Sequence, residues 1–202
     1  MFIKFCGITR AADARAAADV GADAIGLNFV PTSRRVIDLS VAEAILRATP
    51  HAVMSVGVFR NQPIDEVLRI ARALGLDAAQ LHGDESPESV AEIAAHVKTI
   101  IKVHPADRLA DRSVLDRYDA TVTMIDAPTP GAGVPFNWNL VGDLVHDHRV
   151  LLAGGLTPAN VADAIRIVRP WGVDVASGVE SSPGLKDPVM MTRFVSAARS
   201  AN

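Results

Sequence analysis

The chain has 202 residues, of which 49% are hydrophobic and 21% charged, a balance typical of a folded globular protein. Its net charge of −3 excludes a general electrostatic attraction to nucleic acid or to an anionic membrane. A single cysteine excludes an internal disulfide framework and a Cys-based zinc cluster, and it suits a reducing compartment. No stretch approaches the ~18 apolar residues of a membrane span. We therefore expect a cytoplasmic protein that binds neither nucleic acid nor membrane.

Short apolar runs recur along the chain, each followed by a turn and, in most cases, by a helical pattern. These runs predict eight strands, over residues 2–6, 24–29, 53–59, 78–82, 97–103, 122–126, 150–153 and 173–176. The first helix is predicted at 11–20, and the next opens at a capping-box pattern, Ser40 to Glu43. The third has one apolar face over 64–74, and the fourth starts at Ser86-Pro87.

The second half of the chain is less regular. The segment after the fifth strand is short, polar and without a clear helical pattern. Helices are predicted near Trp138, after the cap formed by Thr157-Pro158, and after Asp187-Pro188. Eight strand–helix units in this length leave about 25 residues each, which is enough for a strand, a turn and a short helix. The pattern thus favours an α/β fold, a single-domain (β/α)8 TIM barrel over residues 1–202.

In such a barrel the chemistry lies where strands end and helices begin, so the residues at those junctions are the candidates. Cys6 ends the first strand. It is either a small core residue or a nucleophile or general base, whose thiolate nearby helix N-termini would favour. Asp126 ends the sixth strand. It either bonds the following loop or, desolvated and with a raised pKa, serves as a general acid.

Four further junctions carry candidate binding residues. Gly154 and Gly155 follow strand seven, and Ser177 and Gly178 follow strand eight, where many barrels bind phosphate through backbone N–H groups, although a glycine pair alone also makes a tight turn. Arg35 follows strand two, and its guanidinium can bind a carboxylate through two hydrogen bonds. Alternatively it is a solvated loop residue, which we expect for at least one of Arg34 and Arg35. His82 follows strand four and is either a structural residue or a substrate contact. The remaining histidines show no spacing of metal ligands, so no metal site is predicted.

These residues lie in stretches that resemble the phosphoribosylanthranilate isomerase family of tryptophan biosynthesis. The resemblance runs in order along nearly the whole chain. The stretches that carry it are residues 4–9, 21–26, 33 with 35, 56–59, 80–83, 126, 136–138, 154–156, 173–180 and 183–187. The first, Lys4-Phe-Cys-Gly-Ile-Thr9, and the last, Pro183-Gly-Leu-Lys-Asp187, are together highly specific.

The resemblance implies a single eightfold barrel that catalyses an Amadori rearrangement of N-(5-phosphoribosyl)anthranilate without cofactor or metal. By position, Cys6 would be the general base that removes the C2 proton, and Asp126 the general acid that protonates the furanose ring oxygen. Arg35 would hold the anthranilate carboxylate, with His82 as a further contact. The phosphate would be held by Gly154, Gly155, Ser177 and Gly178.

Some positions depart from the family pattern, and two rival functions stay open. Arg34, Val36, Ala153 and Ala176 stand where other residues are common, and the loop 129–134 is shorter than in some relatives. One rival is a related phosphosugar isomerase or synthase of histidine or tryptophan biosynthesis, against which Cys6 speaks. The other is a non-catalytic phosphate-binding barrel. No helix is apolar all round, so we expect a monomer or a weak homodimer.

Overall fold

The structure is a computed structural model that describes residues 1–109, 112–128, 136–141, 144–145 and 148–201. Eight parallel strands pair in chain order, and the first pairs with the last, so the sheet closes into a barrel. This confirms the predicted (β/α)8 fold. The strands are β1 Phe2–Cys6, β2 Ala24–Asn28, β3 Met54–Phe59, β4 Ala78–Leu81, β5 Thr99–Pro105, β6 Val122–Asp126, β7 Val150–Leu152 and β8 Gly172–Val175.

Six α-helices surround the barrel in the described part of the chain. They are α1 Ala11–Asp19, α2 Leu39–Ala48, α3 Ile64–Leu74, α4 Pro87–Ala94, α5 Val161–Val168 and α6 Pro188–Ser200. The predicted caps of α4 and α6 are confirmed, because the side chains of Ser86 and Asp187 accept hydrogen bonds from the first-turn amides. Each of these caps is followed by a proline at the first helical position.

Two predicted helix starts are wrong. Helix α2 is capped by Asp38, whose carboxylate accepts from the amide of Val41 at 2.8 Å, so Ser40 already lies inside the helix. A carboxylate there also interacts favourably with the helix dipole. Helix α5 begins at Val161 and not at Thr157-Pro158. Those residues form the preceding turn, in which the amide of Thr157 donates to the side chain of Asn160 at 2.8 Å.

The fifth and sixth units depart most from the regular repeat. Strand β5 lies two residues later than predicted, since the chain leaves α4 through a turn that ends at Lys98. Short 3₁₀ helices follow β5 and occupy the region near Trp138 in place of the predicted helix. They span Ala106–Arg108, Arg112–Arg117 and Trp138–Leu140.

The apolar core has two layers, as a closed parallel barrel requires. One lies between the strands and the helices. The other fills the barrel and includes Ala24, Val56, Met124 and Leu151. Within the described ranges, none of the helices has the length and apolar character needed to cross a membrane.

After β8 the chain forms the 3₁₀ helix Ser177–Val179 and then a small antiparallel hairpin, β9 Glu180–Ser182 with β10 Leu185–Lys186. This hairpin was not predicted. It lies beside the barrel mouth, because Thr9 from the loop after β1 donates a hydrogen bond to the carbonyl of Gly184 at its turn. The hairpin thereby carries two charged residues, Glu180 and Lys186, to the candidate site.

Candidate active site

A cavity of about 320 Å³ opens at the carboxyl ends of the strands. Its wall contains seven of the eight predicted site residues: Cys6, Arg35, His82, Asp126, Gly154, Gly155 and Ser177. They come from the ends of strands or the loops that follow them, which explains how residues distant in the chain meet. Gly178, the next residue after Ser177 in the chain, does not line the cavity.

Cys6 lies at the base of this cavity, half-buried, on the strand face that points into the barrel. Lys4 shares that face because it is two residues away on the same strand. The ammonium of Lys4 is fully buried and contacts Oδ1 of Asp174 at 2.7 Å, across the junction of β1 and β8. The only cysteine of the chain therefore lies beside a buried ion pair.

The ionisation of Cys6 differs from the sequence-based expectation. Burial raises the pKa of the thiol above its ordinary value, and although the positive charge of Lys4 lowers it, the negative charge of Asp174 adds to the rise. Burial therefore opposes the thiolate that helix N-termini were expected to favour. The first helix begins only at Ala11, and desolvation is the larger effect. A resting thiol becomes a strong base once it loses its proton.

Asp126 ends β6 and is 7% exposed. Its Oδ1 accepts a hydrogen bond of 2.8 Å from the amide of Ala127, so the loop-bonding interpretation describes one of its two oxygens. The other oxygen, Oδ2, lies 3.2 Å from Nε2 of His82, although the two groups are not aligned as a hydrogen bond. The carboxyl group is therefore fixed at one oxygen, while the other faces His82 at the cavity wall.

Gln80 determines how His82 presents its ring. Its Nε2 lies 3.3 Å from Nδ1 of His82 and can donate to that nitrogen when it carries no proton, while Nε2 of the ring faces Asp126. Gln80 itself is 1% exposed, and its Oε1 has no hydrogen-bond partner among the described residues. The predicted contact residue His82 thus belongs to a short chain of polar groups that ends at Asp126.

Arg35 reaches the cavity from the loop after β2 but is already paired. Its Nε and Nη2 donate to the two carboxylate oxygens of Glu180, each at 2.7 Å. Glu180 also accepts from Lys186 at 2.8 Å. Burial alone would raise the pKa of Glu180, but the hydrogen bonds from Arg35 and the charge of Lys186 hold it below its ordinary value.

The approach of Arg35 depends on Gly7. A Cβ at Gly7 would lie 2.2 Å from Cδ of Arg35, and Gly7 has φ +71°, so this position favours glycine on both grounds.

The glycines after β7 and β8 pack against backbone. A Cβ on Gly154 would lie 2.5 Å from the amide nitrogen of Ala127, and one on Gly178 would lie 1.9 Å from the carbonyl oxygen of Leu156. Asn160 fixes the same turn by donating to the carbonyl of Gly155 at 3.0 Å. The two loops are held close together at the mouth, as an anion-binding pair of loops requires.

The departures from the family pattern fall into three groups. Arg34, Ala153 and Ala176 line the cavity, so their differences bear on the pocket. Val36 lies outside it and is 45% exposed. The loop 129–134 lies outside the described residues. Within the described ranges, no group of three His, Cys, Asp or Glu side chains is arranged to hold a metal ion.

Besides Glu180 and Lys186 of the hairpin, three polar residues on the barrel strands were not predicted as site residues: Lys4, Asp174 and Gln80. Each interrupts an otherwise apolar strand, and each is less than a tenth exposed. A polar residue within a strand that is buried on both faces indicates a functional or paired group, because a buried charge needs a partner. The identity of the partner was hidden, since Lys4 and Asp174 lie 170 residues apart.

Residues 3–197 match the family model described as N-(5'phosphoribosyl)anthranilate (PRA) isomerase. The chain belongs to the PRA isomerase family. Membership confirms the resemblance found in the sequence and the expected enzyme class. Curated relatives include the N-(5'-phosphoribosyl)anthranilate isomerase of Myxococcus xanthus (strain DK1622), 45% identical over 99% of this chain and 97% of that protein.

Solved structures of PRA isomerases agree in fold over the full length. The enzyme from Thermus thermophilus superimposes with a TM-score of 0.94 at 37% identity and covers 100% of both chains. A second, at TM-score 0.89 and 35% identity over 99% of both chains, is a complex with reduced 1-(o-carboxyphenylamino)-1-deoxyribulose 5-phosphate. The structural match therefore includes a PRA isomerase with a bound ligand.

Proposed function

We propose that this chain converts N-(5'-phosphoribosyl)anthranilate to 1-(2-carboxyphenylamino)-1-deoxyribulose 5-phosphate in the cavity at the barrel mouth, as a step of tryptophan biosynthesis. The single observation that carries the proposal is the meeting of Cys6 and Asp126 in one cavity of a PRA isomerase barrel. One provides a proton acceptor and the other a proton donor, which this rearrangement needs.

Asp126 acts first in the proposed sequence. In its protonated form it donates a proton to the furanose ring oxygen as the C1–O bond breaks, and the lone pair of the anthranilate nitrogen forms a C=N bond to C1. The carboxylate that remains lies 3.2 Å from Nε2 of His82, whose proton favours that negative charge. The fixed bond from Ala127 keeps the carboxyl group in place during the transfer.

Cys6 acts second. Its thiolate takes the proton from C2, and the electron pair of that C–H bond forms a C1=C2 double bond and neutralises the iminium nitrogen. The resulting enolamine becomes the ketone of the product when its enol proton is lost and C1 is protonated. The reaction is an internal redistribution of protons and electrons, so the proposed sequence involves neither a redox cofactor nor a metal.

The other predicted residues hold the substrate at its two charged ends. Arg35 uses Nε and Nη2 on Glu180, which leaves Nη1 for the anthranilate carboxylate. Gly154, Gly155 and Ser177, with the adjacent Gly178, form the proposed phosphate site at the opposite loops. His82 contacts the substrate side of Asp126.

The test is turnover of freshly prepared N-(5'-phosphoribosyl)anthranilate, followed by loss of its fluorescence, with Cys6→Ser run in parallel. We expect turnover in the wild type and a fall in kcat of ~10²–10⁴ in the variant, since a hydroxyl is a far weaker base in this position. Turnover in both proteins would remove Cys6 from the mechanism. A folded wild type that binds reduced 1-(o-carboxyphenylamino)-1-deoxyribulose 5-phosphate but does not turn over the substrate would favour the non-catalytic barrel instead.

A cytoplasmic location and a monomeric or weakly dimeric state complete the proposal. The lone free cysteine supports the cytoplasmic location.

The oligomeric state is supported by the surface, because the exposed large apolar side chains of the described residues lie on different elements: Val36, Leu140, Ile167, Trp171, Leu185 and Val189. A PRA isomerase of Thermotoga maritima is described as dimeric. Sedimentation velocity at rising concentration tests the oligomeric state, and a stable dimer at nanomolar concentration would contradict it.

A further inference from the structure

Lys4 is an unusual residue to find inside a barrel. Its side chain has no exposed surface, and a lysine is almost never fully buried without a partner. Burial tends to lower the pKa of Lys4, but the charge and hydrogen bond of Asp174, together with the interaction of Lys4 with Cys6, hold the pKa above its ordinary value. The group is therefore a permanent ammonium within the barrel, and the proposed mechanism gives it no role.

The ammonium of Lys4 and the thiol of Cys6 converge on Gly26 of the neighbouring strand. A Cβ built on Gly26 would lie 2.9 Å from Sγ of Cys6 and 3.1 Å from Nζ of Lys4. Both groups thus occupy the space that a side chain at position 26 would fill. Gly26 faces Cys6 directly in the β1–β2 register, so the missing side chain lets the cation approach the sulphur.

The charges around Cys6 do not balance while its thiol is protonated. Three cations surround it: Lys4 from β1, Arg35 from the loop after β2, and Lys186 from β10. The carboxylates paired with them are Asp174 from β8 and Glu180 from β9. One positive charge is left over, which a thiolate at Cys6 would neutralise. His82 and Asp126 also line the cavity, with Nε2 and Oδ2 3.2 Å apart.

We propose that Lys4 is a positioning residue for the base, whose buried ammonium, anchored by Asp174, stabilises the thiolate of Cys6. The inference rests on the proposed role of Cys6 as the general base. Asp174 holds the ammonium in place by a direct hydrogen bond, and the empty position at Gly26 keeps it facing the sulphur. Lys4 itself does not touch the substrate in this scheme, because its side chain is fully buried and does not line the cavity.

The test uses the fact that Cys6 is the only cysteine of the chain. Alkylation by iodoacetamide, followed by mass spectrometry across a pH series without substrate, then reports the ionisation of that one thiol. We expect Lys4→Met to raise the midpoint of alkylation by about one to two pH units, the effect of removing a neighbouring unit charge at the effective dielectric of a protein. The alkylation rate at neutral pH falls about tenfold for each unit.

Lys102 provides a matched control. It is 2% exposed and its Nζ contacts Glu85 at 2.7 Å, so Lys102→Met also removes a buried, paired ammonium. Its partners are the carbonyls of Leu81 and Gly83 and the carboxylate of Glu85. We expect Lys102→Met to lower stability but to leave the alkylation midpoint of Cys6 unchanged. A midpoint that shifts equally in both variants would overturn the specific role of Lys4.

Lys4→Met leaves the carboxylate of Asp174 buried and unpaired, which can prevent folding. A second variant keeps the test possible in that case. The double variant Lys4→Met with Asp174→Asn removes both charges. Its midpoint should lie between those of the wild type and the single variant, since the effect of Lys4 on the thiol exceeds that of Asp174. A midpoint equal to that of the wild type in this variant, and in the single variant if it folds, would overturn the proposal.

The alkylation midpoint tests the role of Lys4, whereas the activity tests the proposed function of Cys6. The midpoint is measured without substrate and decides whether Lys4 governs the thiol. The activity of Cys6→Ser decides whether the thiol is the base. If both hold, the limb of the kcat/KM profile that reports the ionisation of Cys6 should move upward in Lys4→Met by the same number of pH units as the alkylation midpoint. A profile that does not move while the midpoint does would remove Lys4 from the reaction.

Discussion

The guanidinium of Arg35 is held by the carboxylate of Glu180 through two hydrogen bonds of 2.7 Å, so the residue proposed to bind the anthranilate carboxylate already has an anionic partner. Glu180 fixes the plane of the guanidinium and is in turn neutralised by Lys186. The pairing leaves Nη1 available and removes the rotamer freedom that Arg35 would otherwise lose on binding. The proposed contact with the anthranilate carboxylate therefore depends on the β9–β10 hairpin.

Loss of this pair should weaken binding. In Glu180→Gln we expect KM to rise about tenfold with a smaller change in kcat, and in Arg35→Ala a larger rise, since charged hydrogen bonds contribute ~1.5–3 kcal/mol each. Steady-state kinetics check both. Glu43→Gln is the control, because its contact with Arg47 is 3.7 Å long and exposed. Unchanged KM and kcat/KM in Arg35→Ala would exclude the proposed carboxylate contact.

Asp126→Asn should abolish acid catalysis while preserving the fold. The amide oxygen can still accept from Ala127, but the side chain has no acidic proton to donate. We expect kcat to fall by ~10²–10⁴. Asp23→Asn is the comparison, because Asp23 accepts from the amide of Ile3 near the start of β1, outside the cavity wall. Near-normal kcat in Asp126→Asn would assign the acid to another group.

His104 should make the protein sensitive to mild acid. Burial, with the charges of Lys102 and His148, lowers the pKa of His104 to about 4 from an ordinary value of 6.5. Between these values the unfolded chain binds the proton and the folded chain does not, so stability is full above pH 6.5 and is lost as the pH falls toward 4.

The expected loss of unfolding free energy from His104 between pH 7 and pH 5 is about 2 kcal/mol. His104→Phe keeps a ring against Tyr118, whose centroid lies 5.2 Å away, and removes the titration. Urea unfolding at the two pH values should show a smaller acid loss in this variant than in the wild type. His96→Gln, at an exposed histidine, should behave as the wild type does. An equal acid loss in His104→Phe would contradict the assignment.

Gly178→Ala should separate the two loops at the proposed phosphate site. Its Cβ would lie 1.9 Å from the carbonyl oxygen of Leu156, a backbone atom that cannot rotate away. We expect a loss of ~2–4 kcal/mol in stability and a raised KM. Gly75→Ala has φ +61° but no neighbour within 4 Å, so it should cost only ~1 kcal/mol and leave KM unchanged. Equal KM values in the two variants would argue against a phosphate role for Gly178.

The sequence predicted the barrel because its strand pattern is strong. Strands buried on both faces read as apolar runs, and the glycine or polar residue that ends each run marks the junction with the next helix. The same logic found Cys6 and Asp126, which end β1 and β6. The prediction of helices was weakest after β5 and near Trp138, where 3₁₀ turns replace helices and leave no 3.6-residue periodicity to detect.

The charged groups that surround Cys6 could not be assembled from the sequence. Periodicity places Lys4 on β1 and Asp174 on β8, but only closure of the barrel sets them opposite each other. Glu180 and Lys186 belong to a hairpin whose strands are two or three residues long, too short to give a pattern. For the same reason the raised pKa of Cys6 was missed, since desolvation depends on residues that are distant in the chain.

The contact between Lys4 and Asp174 joins the first strand to the last across 170 residues. During synthesis the thiol of Cys6 leaves the ribosome early, while the carboxylate that anchors its neighbouring cation emerges near the end. A nascent or truncated chain without β8 therefore carries an ordinary cysteine and no assembled base. In the proposed mechanism, the base is therefore complete only once the last strand has joined the barrel.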